Sequence, residues 1–125
     1  MEYLEAHSKK VCKNLLIDLV NISKGHSSIK FFRKDSTTTL IWLFILEAYG
    51  QKKIINIEDI SRGISNACRI SKPSLRLILE NAKDQSFLKF THNKTDSRSW
   101  MIEPEEISIS EFNEWAKYIN LPNNP

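Results

Sequence analysis

The chain has few of the residues that mark secreted, membrane-spanning or catalytic proteins. Its two cysteines, Cys12 and Cys68, are too few and too far apart in sequence for a disulfide framework or a cysteine-bound zinc, and they fit a reducing cytoplasm. The three histidines, His7, His26 and His92, show no metal-ligand spacing, so neither a metal nor a cofactor is expected. No Gly-rich phosphate loop occurs among the three glycines, and no serine or cysteine lies in a nucleophile motif, so an enzyme is not expected. No cationic segment precedes an apolar run at the start. The longest apolar run, residues 40–46, is far short of the roughly 20 residues a membrane span requires. The expectation is a soluble, cytoplasmic protein with no membrane partner.

What is present points to one small domain over residues 1–125, because 41% apolar content is enough for one modest core. The net charge of +3 hides an asymmetry. Residues 61–100 carry eight Lys and Arg against three Asp and Glu, while residues 101–125 carry one against five. A basic middle suits a face turned toward a polyanion, although such a charge is also common on ordinary solvated surfaces.

From the start, residues 3–23 contain neither Pro nor Gly and predict one long helix ending before Gly25. Leu4, Val11, Cys12, Leu15, Leu16, Leu19, Val20 and Ile22, with Ile17 widening the stripe, cover more of its girth than one packing face needs. A domain this small covers one side, and the other is expected to meet a second subunit; the alternative is a central core helix. Cys12 on this helix suits either an oxidant sensor or a small buried hydrophobe, the commoner role. Residues 24–37 predict a connection anchored by Ile29, Phe31 and Phe32 among Lys30, Arg33 and Lys34. Ser36 and the threonines after it offer N-cap oxygens to a buried helix that Gly50 ends. Trp42, Phe31, Phe32 and Trp115 are read as aromatic core rather than the lining of a ligand pocket.

Ile54 and Ile55 predict a short strand that could pair with a hairpin further on. Asn56 then caps a helix with Glu58 and Asp59 in its first turn and Ile57, Ile60 and Ile64 on its buried face. A tight turn over residues 67–70 leads into the most informative stretch, residues 71–102. Ser71 is the N-cap of its helix, and Pro73 sits where a missing amide hydrogen costs nothing. Leu75, Ile78, Leu79 and Ala82 fall on one side, and Pro73, Arg76, Leu77, Glu80, Asn81 and Asp84 on the other. The exposed first turn offers backbone amides, the Ser71 and Ser74 hydroxyls, Lys72 and Arg76. These are groups that meet phosphates and base edges when a helix enters a major groove end-on.

Residues 87–92 and 99–103 predict two strands, the second with Trp100 and Ile102 on one face, joined by a polar, turn-rich segment. Lys89, Lys94 and Arg98, with His92 when protonated, make this hairpin basic and able to reach phosphates or a narrow minor groove. Asp96 is placed to pair with Arg98 and fix its direction. A last helix, predicted to begin at Pro104, presents Ile107, Ile109, Phe112, Trp115, Ala116 and Ile119 on its apolar side.

Residues 57–106 resemble the winged helix-turn-helix of the multiple-antibiotic-resistance regulator (MarR) family, in a short version. The resemblance rests on the Ser71, Pro73, Ser74 helix start, an aliphatic pair closing that helix, and the Asp96-x-Arg98-Ser99 wing ahead of a strand and a further helix. It implies homodimers that bind pseudo-palindromic duplex DNA, with the recognition helix in the major groove and the wing arginine at the minor groove. It also implies release by a small-molecule effector or an oxidant acting near the dimer interface. Three departures stand out: Leu77 where the family often has Arg, Ser86 where it commonly has Gly, and one C-terminal helix where it has two long ones.

The expected fold is therefore mainly α with a small β-hairpin wing. Residues 54–103 form the winged helix-turn-helix, 1–24 and 104–120 the dimerisation helices, and 121–125 a flexible tail. Double-stranded DNA is expected to be held by Ser71, Lys72, Pro73, Ser74, Arg76, Lys94 and Arg98, with Asp96 orienting the wing. The dimer interface is expected to use Leu4, Val11, Leu15, Leu19, Ile22, Phe112, Trp115 and Ile119. The alternative is a winged-helix module whose apolar terminal helices bind another protein and which never touches DNA.

Overall fold

The computed structural model describes residues 2–22, 25–92 and 100–119. In chain order they form α1 (Glu2–Ile22), α2 (Ser27–Phe32), α3 (Ser36–Gly50), α4 (Ile57–Ile64), α5 (Lys72–Asp84), β1 (Leu88–His92), β2 (Trp100–Pro104) and α6 (Glu106–Ile119). The fold is mostly helical with one two-stranded antiparallel hairpin. None of the described helices is long and apolar enough to cross a membrane.

The core is built on α3, whose Ile41, Trp42, Ile45 and Ala48 are buried against α2, α4 and the hairpin. Asp35 caps this helix, where the sequence suggested Ser36 or a threonine: its carboxylate accepts the Thr38 amide hydrogen at 2.7 Å. That bond holds the Asp35 carboxyl below its ordinary value. The cap therefore stabilises the helix fully above about pH 4, the unfolded value of the group, and the contribution is lost as pH falls through the lowered value. The aromatic residues pack on one another, as read. Phe32 stacks on Trp42 at 6.1 Å between centroids, and Trp42 meets Phe112 at 5.9 Å and Trp115 at 5.4 Å.

Residues 24–37 contain a helix where the sequence suggested only an anchored connection. Ile29 and Phe32 of α2 are fully buried. Its N-terminus has no side-chain cap of its own. Instead Glu111 of α6 accepts the Ser28 amide hydrogen at 2.8 Å and the Ser28 hydroxyl at 2.5 Å. A carboxylate 83 residues downstream thus satisfies one first-turn backbone donor, and no local pattern signals it.

Ile54 and Ile55, predicted as a strand, form no strand in the structure; among the described residues the Ile55 carbonyl accepts the Ile102 amide hydrogen at 3.0 Å. Beyond it, α4 has a complete capping box: Asn56 accepts the Asp59 amide hydrogen at 2.9 Å, and the Asp59 carboxylate accepts that of Asn56 at 3.0 Å. Ile60 and Ile64 are buried and Ile57 packs beside them. Where α4 crosses α3, a Cβ on Gly63 would lie 2.0 Å from the Phe44 ring, so any larger residue there would have to displace that ring.

Helix α5 buries Leu75, Leu79 and Ala82, with Ile78 half-buried beside them. It ends in a Schellman motif: Ser86 takes φ +66°, and the Phe87 amide donates back to the Ala82 carbonyl at 2.9 Å. Phe87 is buried, so the reversal delivers the chain into the hairpin with an apolar side chain already anchored. The register runs from Leu88 opposite Pro104 to His92 opposite Trp100. Pro104 therefore closes β2 and does not open α6, because the Ile102, Pro104, Leu88 face is buried. The Phe87 carbonyl then accepts both the Glu105 amide hydrogen at 3.0 Å and the Ser108 hydroxyl at 2.7 Å, fixing the start of α6.

Candidate nucleic-acid interface

The sequence between α4 and α5 makes a short turn because both helix ends are satisfied locally. The Ile64 carbonyl accepts amide hydrogens from Ala67 at 3.0 Å and Cys68 at 2.9 Å, so the chain leaves α4 at once. Ser71 is extended at φ −70°, ψ 154°, and its hydroxyl oxygen accepts the Ser74 amide hydrogen at 3.2 Å while donating to the Ser74 hydroxyl at 2.9 Å. This cap presents the first turn of α5 outward. Ser71, Lys72, Pro73, Ser74 and Arg76 are all exposed and clustered at that end of the helix. The structure thus brings together the five helix-borne residues expected to meet DNA.

The cations there are not equivalent. Lys72 pairs with Glu58 of α4 at 2.8 Å, and Arg62 pairs with Asp59 at 2.6 Å. Arg69 and Arg76 make no ion pair among the described residues, so their charge is open to solvent. Exposed pairs of this kind are worth about 0–1 kcal/mol, little enough for an incoming phosphate to displace Glu58 from Lys72. A shallow groove between α4 and α5 is lined by Ser61, Ser65, Cys68, Arg69, Ile70 and Ser71. Ser61, Ser65 and Arg69 were not singled out by the sequence reading. The available signal was a cation two residues ahead of the Ser71 cap, on the same open end of the helix.

Farther along α5, Leu77, Glu80, Asn81 and Asp84 are exposed as the helical periodicity requires. Lys83 sits over the Phe90 ring of β1 at 5.2 Å, tying the helix to the hairpin. At the far end of the strands His92 and Trp100 face each other with ring centroids 3.9 Å apart, both exposed. Lys94, Asp96 and Arg98 lie outside the described residues. Among the described residues, no group of three His, Cys, Asp or Glu is placed to hold a metal.

Helix α1 packs against α6 and α2 and is anchored there by a buried acid. Asp18, 1% exposed, accepts from Arg33 at 2.5 Å and from the Trp115 indole N–H. Arg33 also lies over the Trp115 ring, 5.4 Å from its centroid. Among the described side chains of α1, Val11, Leu15, Leu16, Leu19 and Val20 are all exposed, Leu16 at 62%. Cys12 is exposed too, not the buried hydrophobe that is the commoner fate of a lone thiol. Phe112 and Trp115 are half-buried against Trp42 within the chain, so their rings hold α6 to the core. The side chains of Leu4, Ile22 and Ile119 lie outside the described set.

No protein-family model matches the chain, and no curated protein matches it in sequence. Solved structures do match it. The chain is similar to a transcriptional repressor, CouR, bound to a 23-mer DNA duplex, with 11% identity over 94% of this chain and 78% of that one, at a TM-score of 0.56. It is similar to reduced AbfR bound to DNA, with 13% identity over 95% of this chain and 82% of that one, at a TM-score of 0.55. It is also similar to a mutant of Lactococcus lactis ZitR, with 19% identity over 68% of this chain and 53% of that one, at a TM-score of 0.51. The chain spans about half the length of the ZitR chains it matches. These neighbours are winged-helix regulators of the MarR type, and at such identities the likeness establishes the fold.

Proposed function

We propose that this protein is a duplex-DNA-binding transcription regulator that acts as a homodimer, and not an enzyme. The observation that carries the reading is the first turn of α5, where Ser71, Lys72, Pro73, Ser74 and Arg76 are exposed together with Arg69, which makes no ion pair among the described residues. Backbone amides at a helix start, hydroxyls and unpaired guanidinium groups are the chemistry that holds a phosphate backbone and orients a helix in the major groove. The two similar proteins solved with DNA, CouR and AbfR, support the reading through their shared fold. The wing, through Lys94 and Arg98 with Asp96 orienting it, adds contacts to the backbone or minor groove.

Dimerisation is supported by α1. Its exposed Leu15, Leu16, Leu19 and Val20 form an apolar strip that a monomer leaves in water, and a two-fold partner would bury it against its own copy. Two copies would place two α5 helices on one duplex, which favours a pseudo-palindromic site. The cytoplasm is where such a regulator works, and any effector would act through the dimer helices.

Fluorescence anisotropy with a pool of random-sequence duplexes at low salt tests the reading. Binding at micromolar protein is expected. If no duplex is bound while light scattering shows α1 gripping a different protein, the interaction-module reading replaces it.

A further inference from the structure

We infer that Leu77 is a base-reading residue that selects thymine by apolar contact with its C5 methyl group. The inference rests on the DNA-binding reading of α5 and extends it to a specific base.

The buried residues Leu75, Leu79 and Ala82 define the inner face of α5. At about 100° per residue, Leu77 projects within about 30° of the diametrically opposite direction. It is 60% exposed, an apolar side chain at the centre of the outward stripe of Pro73, Leu77, Glu80 and Asp84. The charges of the exposed surface are graded along the helix axis. Arg76, Lys72 and the Ser71 and Ser74 hydroxyls lie in the first turns beside the stripe, while Glu80 and Asp84 follow on it in the second half, where Lys83 is drawn to the Phe90 ring. Phosphates are attracted to the first group and repelled by the second. The backbone is therefore gripped at the helix start, and the centre of the stripe is left to face base edges.

Leu77 stands about 4.5 Å along the axis beyond Ser74 at 1.5 Å per residue. That is within the roughly 8.5 Å depth of the major groove for a helix entering by its N-terminal end. A leucine there has neither donor nor acceptor. Of the four bases only thymine presents an apolar group in the major groove, its C5 methyl. Against the amine or carbonyl edges of the other bases, Leu77 would strip water without returning a hydrogen bond. Glu80, one turn further, accepts only and so disfavours the paired acceptors of guanine beside it.

The preferred duplex is first selected from a random pool with the full-length protein. Each thymine in it is then replaced by deoxyuridine, which pairs identically and lacks only the methyl. Affinity is expected to fall about four-fold at one thymine position of each half-site, the worth of one buried methyl, and about fifteen-fold when both half-sites are changed together. Leu77→Ala should bind the thymine and deoxyuridine duplexes alike, and Leu77→Met should keep the preference. Because Leu77 is exposed, both variants should melt as the parent does. Binding that is indifferent to every thymine methyl, or a preference that persists in Leu77→Ala, overturns the inference and leaves the DNA-binding reading standing. A protein that selects no duplex at all overturns that reading, and this inference with it.

Discussion

Asp18 is the position at which a single substitution should reveal how the fold joins α1 to α2 and α6. The carboxylate is 1% exposed and is held by Arg33 at 2.5 Å and by the Trp115 indole N–H, so α1, the end of α2 and α6 meet on it. Asp18→Ala leaves the Arg33 guanidinium and the indole N–H facing a void. Removing one member of a buried ion pair costs about 3–5 kcal/mol, and an orphaned buried donor about 1–3. Arg33 keeps 22% of its side chain in water, which returns part of that cost. A net loss of about 3 kcal/mol is the reasoned value. For a domain of this size that lowers Tm by about 10 °C. Circular dichroism melts at one fixed protein concentration measure it, because any self-association would make Tm concentration-dependent. Asp18→Asn, which keeps an acceptor for the indole but drops the charge, should fall between the two. An Asp18→Ala melt within about 2 °C of the parent would refute the reasoning. The two partners would then be as well served by water as by the carboxylate.

Ser86 holds φ +66° in the turn that ends α5, and glycine adopts that conformation without the Cβ clash. Ser86→Gly should therefore stabilise the protein by about 1 kcal/mol, read as a rise of several degrees in the same melt. Leu16 and Leu19 are exposed at 62% and 58%, so Leu16→Glu with Leu19→Glu should leave the monomer folded while light scattering falls from the mass of two chains to that of one. An unchanged mass would remove this strip of α1 from the interface.

The parts of this fold that were legible in the sequence are those whose determinants are local. The inner face of α5 follows from the spacing of Leu75, Leu79 and Ala82, and the cap at Ser71 from its hydroxyl and the following Pro73; the structure contains both. The Asn56 cap was legible for the same reason. Helix α2 was not, because Glu111 completes its N-terminus from the far end of the chain. Pro104 suggests a helix start wherever it precedes acids, yet here it occupies the last buried position of β2, where strand register decides its place.

In the candidate site, Arg69 carries no sequence signal of its own because it is in a turn, and only the fold sets it at the rim of the groove between α4 and α5. Phe112 and Trp115 are expected at a partner's surface, and Trp115 also in the aromatic core; the structure packs both against Trp42 within the chain. A sequence shows that a helix has an apolar side, while the number of apolar neighbours already inside the chain decides how much of that side is left over. Among the described side chains of α6, Phe112 and Trp115 are partly covered and Ile107 stays exposed, while on α1 Val11, Leu15, Leu16, Leu19 and Val20 are all exposed.

The salt dependence of duplex binding tests the central claim most directly. If Lys72, Arg76, Lys94 and Arg98 of each protomer neutralise phosphates, a dimer releases roughly eight counterions, and log K should fall with log salt at a slope of about −7. Arg98→Ala should make that slope shallower by about 2 without changing the melt or the mass of the dimer. Binding that does not weaken as salt rises, or no binding at low salt, would contradict the account.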